Sequence, residues 1–183
     1  MVDYQVGDEV HRWLRGYKDA PVLEAREACI AQLVPLVVRW MAKNRMPLER
    51  HFGSPWDLVA TVPSSGRPAG TPVDELVSRV PQLAALQRVS LARGPESTDH
   101  LRAARQGFVV FPAVDREWLR SRRVLVFDDT VITGARAQSA VAALRIAGAR
   151  VIGVLAVGRV VGRNQSRRSA HLGSQVVRLP GLH

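Results

Sequence analysis

Apolar runs alternating with helix-like stretches predict an α/β domain built on a mostly parallel sheet. Three runs carry the prediction: Leu58–Val62, Val124–Phe127 and Val151–Val157. Each is continuous rather than alternating, as expected of a strand covered on both faces. Between the last two, Ala137, Ala140, Val141, Leu144 and Ala147 fall on one helical face, and Gly148 ends the pattern.

The elements follow in chain order. The first twenty residues are polar and aromatic and include HRWLRGYKD, His11 to Asp19. Val22–Asn44 predicts a long amphipathic helix, with Leu23, Ile30, Leu33, Val34, Val37, Val38 and Met41 near helical spacing. Pro35 is expected to kink or split it, and Arg45–Pro55, with two prolines, reads as a loop. The strand at Leu58–Val62 runs into Pro63 and the small-residue segment SSGRPAGTP. Thr71, Pro72 and Asp74 then predict a helix start, with the helix reaching about Arg79. Leu83–Leu91 fits helix or strand, with a short strand expected near Arg88–Leu91. Ala92–Gly107 is a long, charged, turn-rich stretch of the kind that forms lids. A strand is expected at Phe108–Phe111, then a charged linker at Arg116–Arg123, and after Val157 a basic, less regular tail.

With 183 residues the chain fits one domain, expected over 1–183, and can bury a substantial core. Its 46% hydrophobic content is ordinary for a soluble protein, and no apolar run approaches a membrane span. The N-terminus lacks signal-peptide architecture, and a single cysteine, Cys29, excludes an internal disulfide and a cysteine-cluster metal site. Together these features predict a cytoplasmic protein. A net charge of +10, from 26 basic and 16 acidic residues, invites polyanions: nucleic acid or small phosphorylated ligands. The five histidines show no metal-ligand spacing, and the four tryptophans are too scattered for a base-stacking platform.

Chemistry concentrates in VLVFDDTVITGAR, Val124 to Arg136. The apolar strand delivers Asp128 and Asp129 to its carboxyl end, where open α/β sheets bind ligands. The turn that follows, Thr130 to Ala135, leads backbone N–H groups into the start of a helix, an anion site. Two acids beside a phosphate cradle suit a molecule bearing hydroxyls and a phosphate, that is, a sugar phosphate.

This segment resembles the 5-phosphoribosyl-1-pyrophosphate (PRPP) motif of type I phosphoribosyltransferases. The strand, both acids, Thr133 and Gly134 match it. Ile132 stands where the family often has Thr or Asp, and Arg136 replaces a closing Thr or Ser. The resemblance implies a parallel sheet flanked by helices with a small variable hood. It implies catalytic roles for Asp128 and Asp129 at the ribose hydroxyls, with Mg²⁺ touched through water. It makes Thr130, Val131, Ile132, Thr133, Gly134, Ala135 and Arg136 the 5-phosphate loop. Two further segments look closest to the competence-type (ComF-like) and amidophosphoribosyltransferase-like branch. VPSSGR would grip pyrophosphate through Ser64, Ser65, Gly66 and Arg67; an ordinary Ser/Gly turn would read the same way. DHLRAARQGF would form a flexible loop in which Arg102 and Arg105, three apart, share one face of a helical turn; a solvated helix is the alternative. Lys18, in LRGYKD, either reaches phosphate or belongs to a surface basic patch.

The implied activity is transfer of a 5-phosphoribosyl group from PRPP to an unknown nitrogen acceptor, with release of pyrophosphate. The alternative is a protein that keeps the fold to sense PRPP or nucleotides, or to accompany nucleic acid. Arg136 opens that alternative, since it either supplies a cation to the phosphate or fills the pocket with its bulk. Ile132 argues against a hypoxanthine-type salvage enzyme, in which an acid at that place helps protonate the base. Dimers are common in the family, so the resemblance allows a homodimer without fixing the oligomeric state.

Overall fold

The computed structural model describes residues 2–53, 55–64, 72–111 and 116–161. A five-stranded, wholly parallel sheet forms its centre. In spatial order it contains β1 (Val2–Tyr4), β7 (Arg150–Val160), β6 (Arg123–Val131), β2 (Leu58–Thr61) and β3 (Gln87–Val89). The fold class read from the apolar runs is therefore the one observed. β6 is central, and its apolar run divides as a period of two requires. Leu125 and Phe127 join one core with helices α1 (Glu9–Asp19) and α2 (Leu23–Phe52). Val124 and Val126 join a second core with helix α6 (Ala135–Ile146). All four are buried, which explains why the run is continuous.

Ion pairs fix the frame around β6. Arg123 grips Asp57 through two guanidinium nitrogens at 2.9 and 2.8 Å and its own N–H at 3.0 Å, locking β6 beside β2. That grip holds the Asp57 carboxyl below its ordinary range. Thr61 donates to Asp74 (2.6 Å), tying the end of β2 to helix α3 (Pro72–Arg79). Arg79 joins Glu27 and Glu75, and so links α3 to α2.

Several elements differ from the sequence reading. β1 was not expected; only three residues long, it lacks a periodic run. Arg45–Pro55 is not a loop, because α2 continues to Phe52. Neither Pro35 nor Pro47 ends that helix. Pro35 sits where both flanks are gripped by the core through Leu33 and Val37, and an Arg45–Glu49 pair at 2.7 Å spans Pro47. Arg116–Arg123 is not a plain linker: α5 (Arg116–Arg120) forms there and buries Leu119. The helix-or-strand stretch splits into α4 (Pro81–Ala84) and β3. The strand expected at Phe108–Phe111 forms as β5 (Phe108–Val110), but outside the main sheet. It pairs antiparallel with β4 (Leu91–Arg93) as a separate ribbon. Of the predicted helix start, Thr71 lies outside the described residues, as does most of the basic tail.

Candidate active site

β6 continues through the acids. Asp128 pairs in register with Ala156, Thr130 with Gly158 and Val131 with Arg159, so both acids lie within β6, which extends beyond them through Thr130 and Val131 of the expected turn. Strand geometry rather than a loop therefore fixes their backbone. The chain then turns within Ile132–Gly134. Gly134, at φ 86°, occupies the left-handed region that other residues enter only with strain, and it caps α6. Thr133 Oγ1 accepts the Ala135 N–H at 3.2 Å. A helix start in general leaves its first N–H groups without intrahelical acceptors, and its positive dipole end favours anions.

A cavity of about 370 Å³ opens over this turn. Asp128, Asp129 and every residue from Thr130 to Arg136 line it, together with Lys18, Asp19, Ser64 and His100. The bend is not filled by Arg136. That side chain reaches sideways: its guanidinium donates to the Pro63 carbonyl and lies 5.8 Å from the Phe108 ring centre. It thereby links the β2 exit to the first turn of α6. Ile132 is 51% exposed and contributes nothing titratable. Of the VPSSGR segment, Ser64 reaches the cavity, whereas Ser65, Gly66 and Arg67 lie outside the described residues.

The carboxylates are almost fully buried, at 9% exposure for Asp128 and 5% for Asp129. Burial pushes Asp128 up to about 6, against the opposing charges of Lys18 and Arg136. Burial likewise pushes Asp129 up to about 7, opposed by hydrogen bonding from Thr130 and by Arg136. The Lys18 ammonium, 2.7 Å from Asp129 Oδ2, also favours the ionised form. Tyr17 donates its hydroxyl to the same oxygen, and Asp128 Oδ1 accepts the Asp129 N–H at 2.9 Å. Burial also lowers the Arg136 pKa.

The raised value for Asp128 has a consequence for stability. Its ordinary value is 3.8, so between that value and about 6 the folded chain holds a proton that the unfolded chain releases. Stability from this group is complete at low pH and lost as pH rises through about 6. Asp128→Asn is therefore expected to unfold at higher urea than the native chain at pH 8. The gain should be on the order of 1–3 kcal/mol, and it should vanish near pH 4. An equal midpoint at pH 8 would mean that Asp128 is not desolvated.

The lid segment takes a form that the sequence did not indicate. No helix forms in 94–107, where Arg105 sits in a single turn closed by the Gly107 N–H on the Ala104 carbonyl, and Arg102 and Arg105 are exposed and do not line the cavity. His100 does, and its carbonyl accepts the Thr133 hydroxyl. The segment is docked on α6 by Ser139, which is fully buried. The Ser139 hydroxyl lies 2.9 Å from Thr98 Oγ1, accepts the Ala104 N–H at 2.9 Å and bonds the Ala135 carbonyl at 3.0 Å. Ser139 gave no signal in the sequence beyond a polar residue on the apolar face of a helix. Tyr17 and His100 likewise carry no local signal of a role at the site.

Fold and cavity thus define a parallel α/β domain with an acidic cleft at the carboxyl end of its central strand. No protein-family model matches the sequence, and no curated protein sequence matches it. Solved structures with a similar chain path include adenine phosphoribosyltransferase from Thermoanaerobacter pseudethanolicus, at 14% identity and a TM-score of 0.48, covering 76% of this chain and 73% of that one. The Saccharomyces cerevisiae adenine phosphoribosyltransferase is similar at 14% identity and a TM-score of 0.45, over 80% of this chain and 76% of that one. A purine phosphoribosyltransferase from Pyrococcus horikoshii follows at 15% identity and 0.39, over 69% and 86%. Among the described residues, no helix is long and apolar enough to cross a membrane, and no three His, Cys, Asp or Glu side chains cluster to hold a metal.

Proposed function

We propose that the chain binds PRPP in this cleft and transfers its 5-phosphoribosyl group to a nitrogen acceptor, releasing pyrophosphate. One observation carries the reading: two buried carboxylates and the amide-lined bend at the start of α6 open on the same cavity. Asp128 and Asp129 accept hydrogen bonds from the ribose hydroxyls. The bend from Thr130 to Arg136 receives the 5-phosphate through N–H groups and the Thr133 hydroxyl. Ser64 lines the cavity, and Ser65, Gly66 and Arg67, which follow it in the sequence, are assigned with it to the diphosphate.

In the reaction the bond from ribose C1 to the diphosphate oxygen breaks, and its electron pair leaves with pyrophosphate. The acceptor's nitrogen lone pair forms the new bond to C1, and the nitrogen's proton passes to solvent. The chain's part is to hold the sugar at both ends, orient C1 and exclude water from a cation-like transition state. The 94–107 segment, docked beside the bend, supplies one wall. Two hard oxygen donors suit Mg²⁺, but they need the substrate's own oxygens and water to complete its shell. Asp128 and Asp129 would hold the ion at the protein side, where it would neutralise charge on the leaving diphosphate.

A second reading, a PRPP sensor of the competence-type branch, is favoured by Ile132. It places an exposed apolar side chain where an acid would assist an acceptor. Titration calorimetry with PRPP and Mg²⁺, followed by pyrophosphate assays across nucleobases and amines, separates the two. Binding with pyrophosphate release is expected. Binding without release selects the sensor, and no binding removes both. Nucleic-acid association, invited by the +10 charge, predicts instead an affinity for DNA or RNA that falls steeply with salt.

A further inference from the structure

Helix α1 takes no part in the chemistry described above, yet it delivers two consecutive side chains to one carboxylate oxygen. The Tyr17 hydroxyl donates to Asp129 Oδ2, and Lys18 Nζ stands 2.7 Å from the same atom. Tyr17 is fully buried, so its hydroxyl is a fixed donor. Lys18 keeps 26% of its side chain exposed and lines the cavity beside Asp129.

The placement of α1 is itself determined. Gly16 precedes the pair, and a Cβ there would stand 2.4 Å from Cys29 Sγ on α2, so a larger residue would force Cys29 to move. Asp8 caps the other end of α1 through the His11 N–H at 2.9 Å. Two donors from a helix docked this closely hold the Asp129 carboxylate in a single orientation.

We propose that Tyr17 and Lys18 are positioning residues of this site, fixing Asp129 against the hydroxyl edge of a bound phosphoribosyl group. The inference rests on the PRPP reading above. Lys18 acts through Asp129 and not as a ligand of the diphosphate. Its effect therefore depends on the presence of that carboxylate, and extends to ligands that lack a diphosphate.

The test is a double-variant cycle by calorimetry, with PRPP plus Mg²⁺ and with ribose 5-phosphate as probes. Lys18→Met is expected to weaken both ligands by about tenfold, the scale of one hydrogen bond to a charged group. In an Asp129→Asn background the same change should cost less than about twofold. Lys18→Arg should recover part of the loss, and Tyr17→Phe, which keeps the buried ring, should weaken binding in the same direction. Near-UV circular dichroism of each variant establishes that it is folded. Three results overturn the proposal: native affinity in Lys18→Met, a loss that persists in full in the Asp129→Asn background, or a loss confined to PRPP. The last would make Lys18 a direct diphosphate contact. A native chain that binds neither ligand removes the PRPP reading and this inference together, whereas native binding with an additive cycle removes this inference alone.

Discussion

The chain carrying Asp128→Asn together with Asp129→Asn is expected to bind PRPP at least a hundredfold more weakly than the native chain. Each carboxylate is assigned one charge-assisted hydrogen bond from a ribose hydroxyl, worth about 1.5–3 kcal/mol. Losing two removes about 3–6 kcal/mol, and about 1.4 kcal/mol corresponds to a factor of ten. Asparagine keeps the shape but offers a neutral oxygen, so the loss reads charge and not packing. It also strips the Lys18 ammonium of the carboxylate that now stands 2.7 Å away. Ribose 5-phosphate, which carries the same two hydroxyls, should lose affinity by a similar factor. Calorimetry with Mg²⁺ present checks both ligands. Unchanged PRPP affinity in the double variant would mean that the acids do not meet the ligand.

Phe127→Ala should produce the largest loss of stability, about 3–5 kcal/mol, the usual range for emptying a large aromatic side chain from a core. Phe127 is fully buried in the core shared by α1, α2 and the sheet. A small void of about 20 Å³ already lies beside it among Val37, Trp40 and Leu155, so a truncated side chain would enlarge an existing imperfection. Whole domains are stable by only about 5–15 kcal/mol, so the variant should lose much of its urea resistance. Because Asp128 follows directly, ligand affinity should fall as well. Ile132→Ala serves as the control: 51% exposed on the bend, it should change stability by no more than about 0.5 kcal/mol. If the two variants unfolded at the same urea concentration, Phe127 would not be a core residue.

The parts of the fold that were legible in the sequence are those whose environment is uniform along several residues. Val124–Phe127 announces a doubly covered strand because all four side chains meet apolar neighbours, two on each side of the sheet. The bend after it is legible because Gly134 occupies a backbone region that few other residues accept. Where a distant partner decides the structure, the local pattern misleads. The two prolines near Arg45–Pro55 argue for a loop. The observed helix persists because Leu48 packs on the core and Arg45 pairs with Glu49. The strand at Phe108 is visible as an apolar run, but not its departure from the main sheet, which depends on pairing with Leu91–Arg93.

The site divides along the same line. That two acids and a glycine bend share one cavity is legible in thirteen consecutive residues, Val124 to Arg136, because strand, acids and bend follow one another directly. Where Arg136 points is not, since its partners Pro63 and Phe108 are remote in the chain. The same holds for the docking of 94–107 on Ser139, and for the convergence of Tyr17 and Lys18 on a carboxylate more than a hundred residues away. The sequence by itself determined the parallel α/β class and the acidic strand end, because backbone conformation and two-sided burial are local demands on each residue. Only the tertiary structure decided how that strand end is gripped. A hydrogen bond or ion pair exists only once packing has brought its two halves within about 3 Å, and no spacing along the chain encodes that approach.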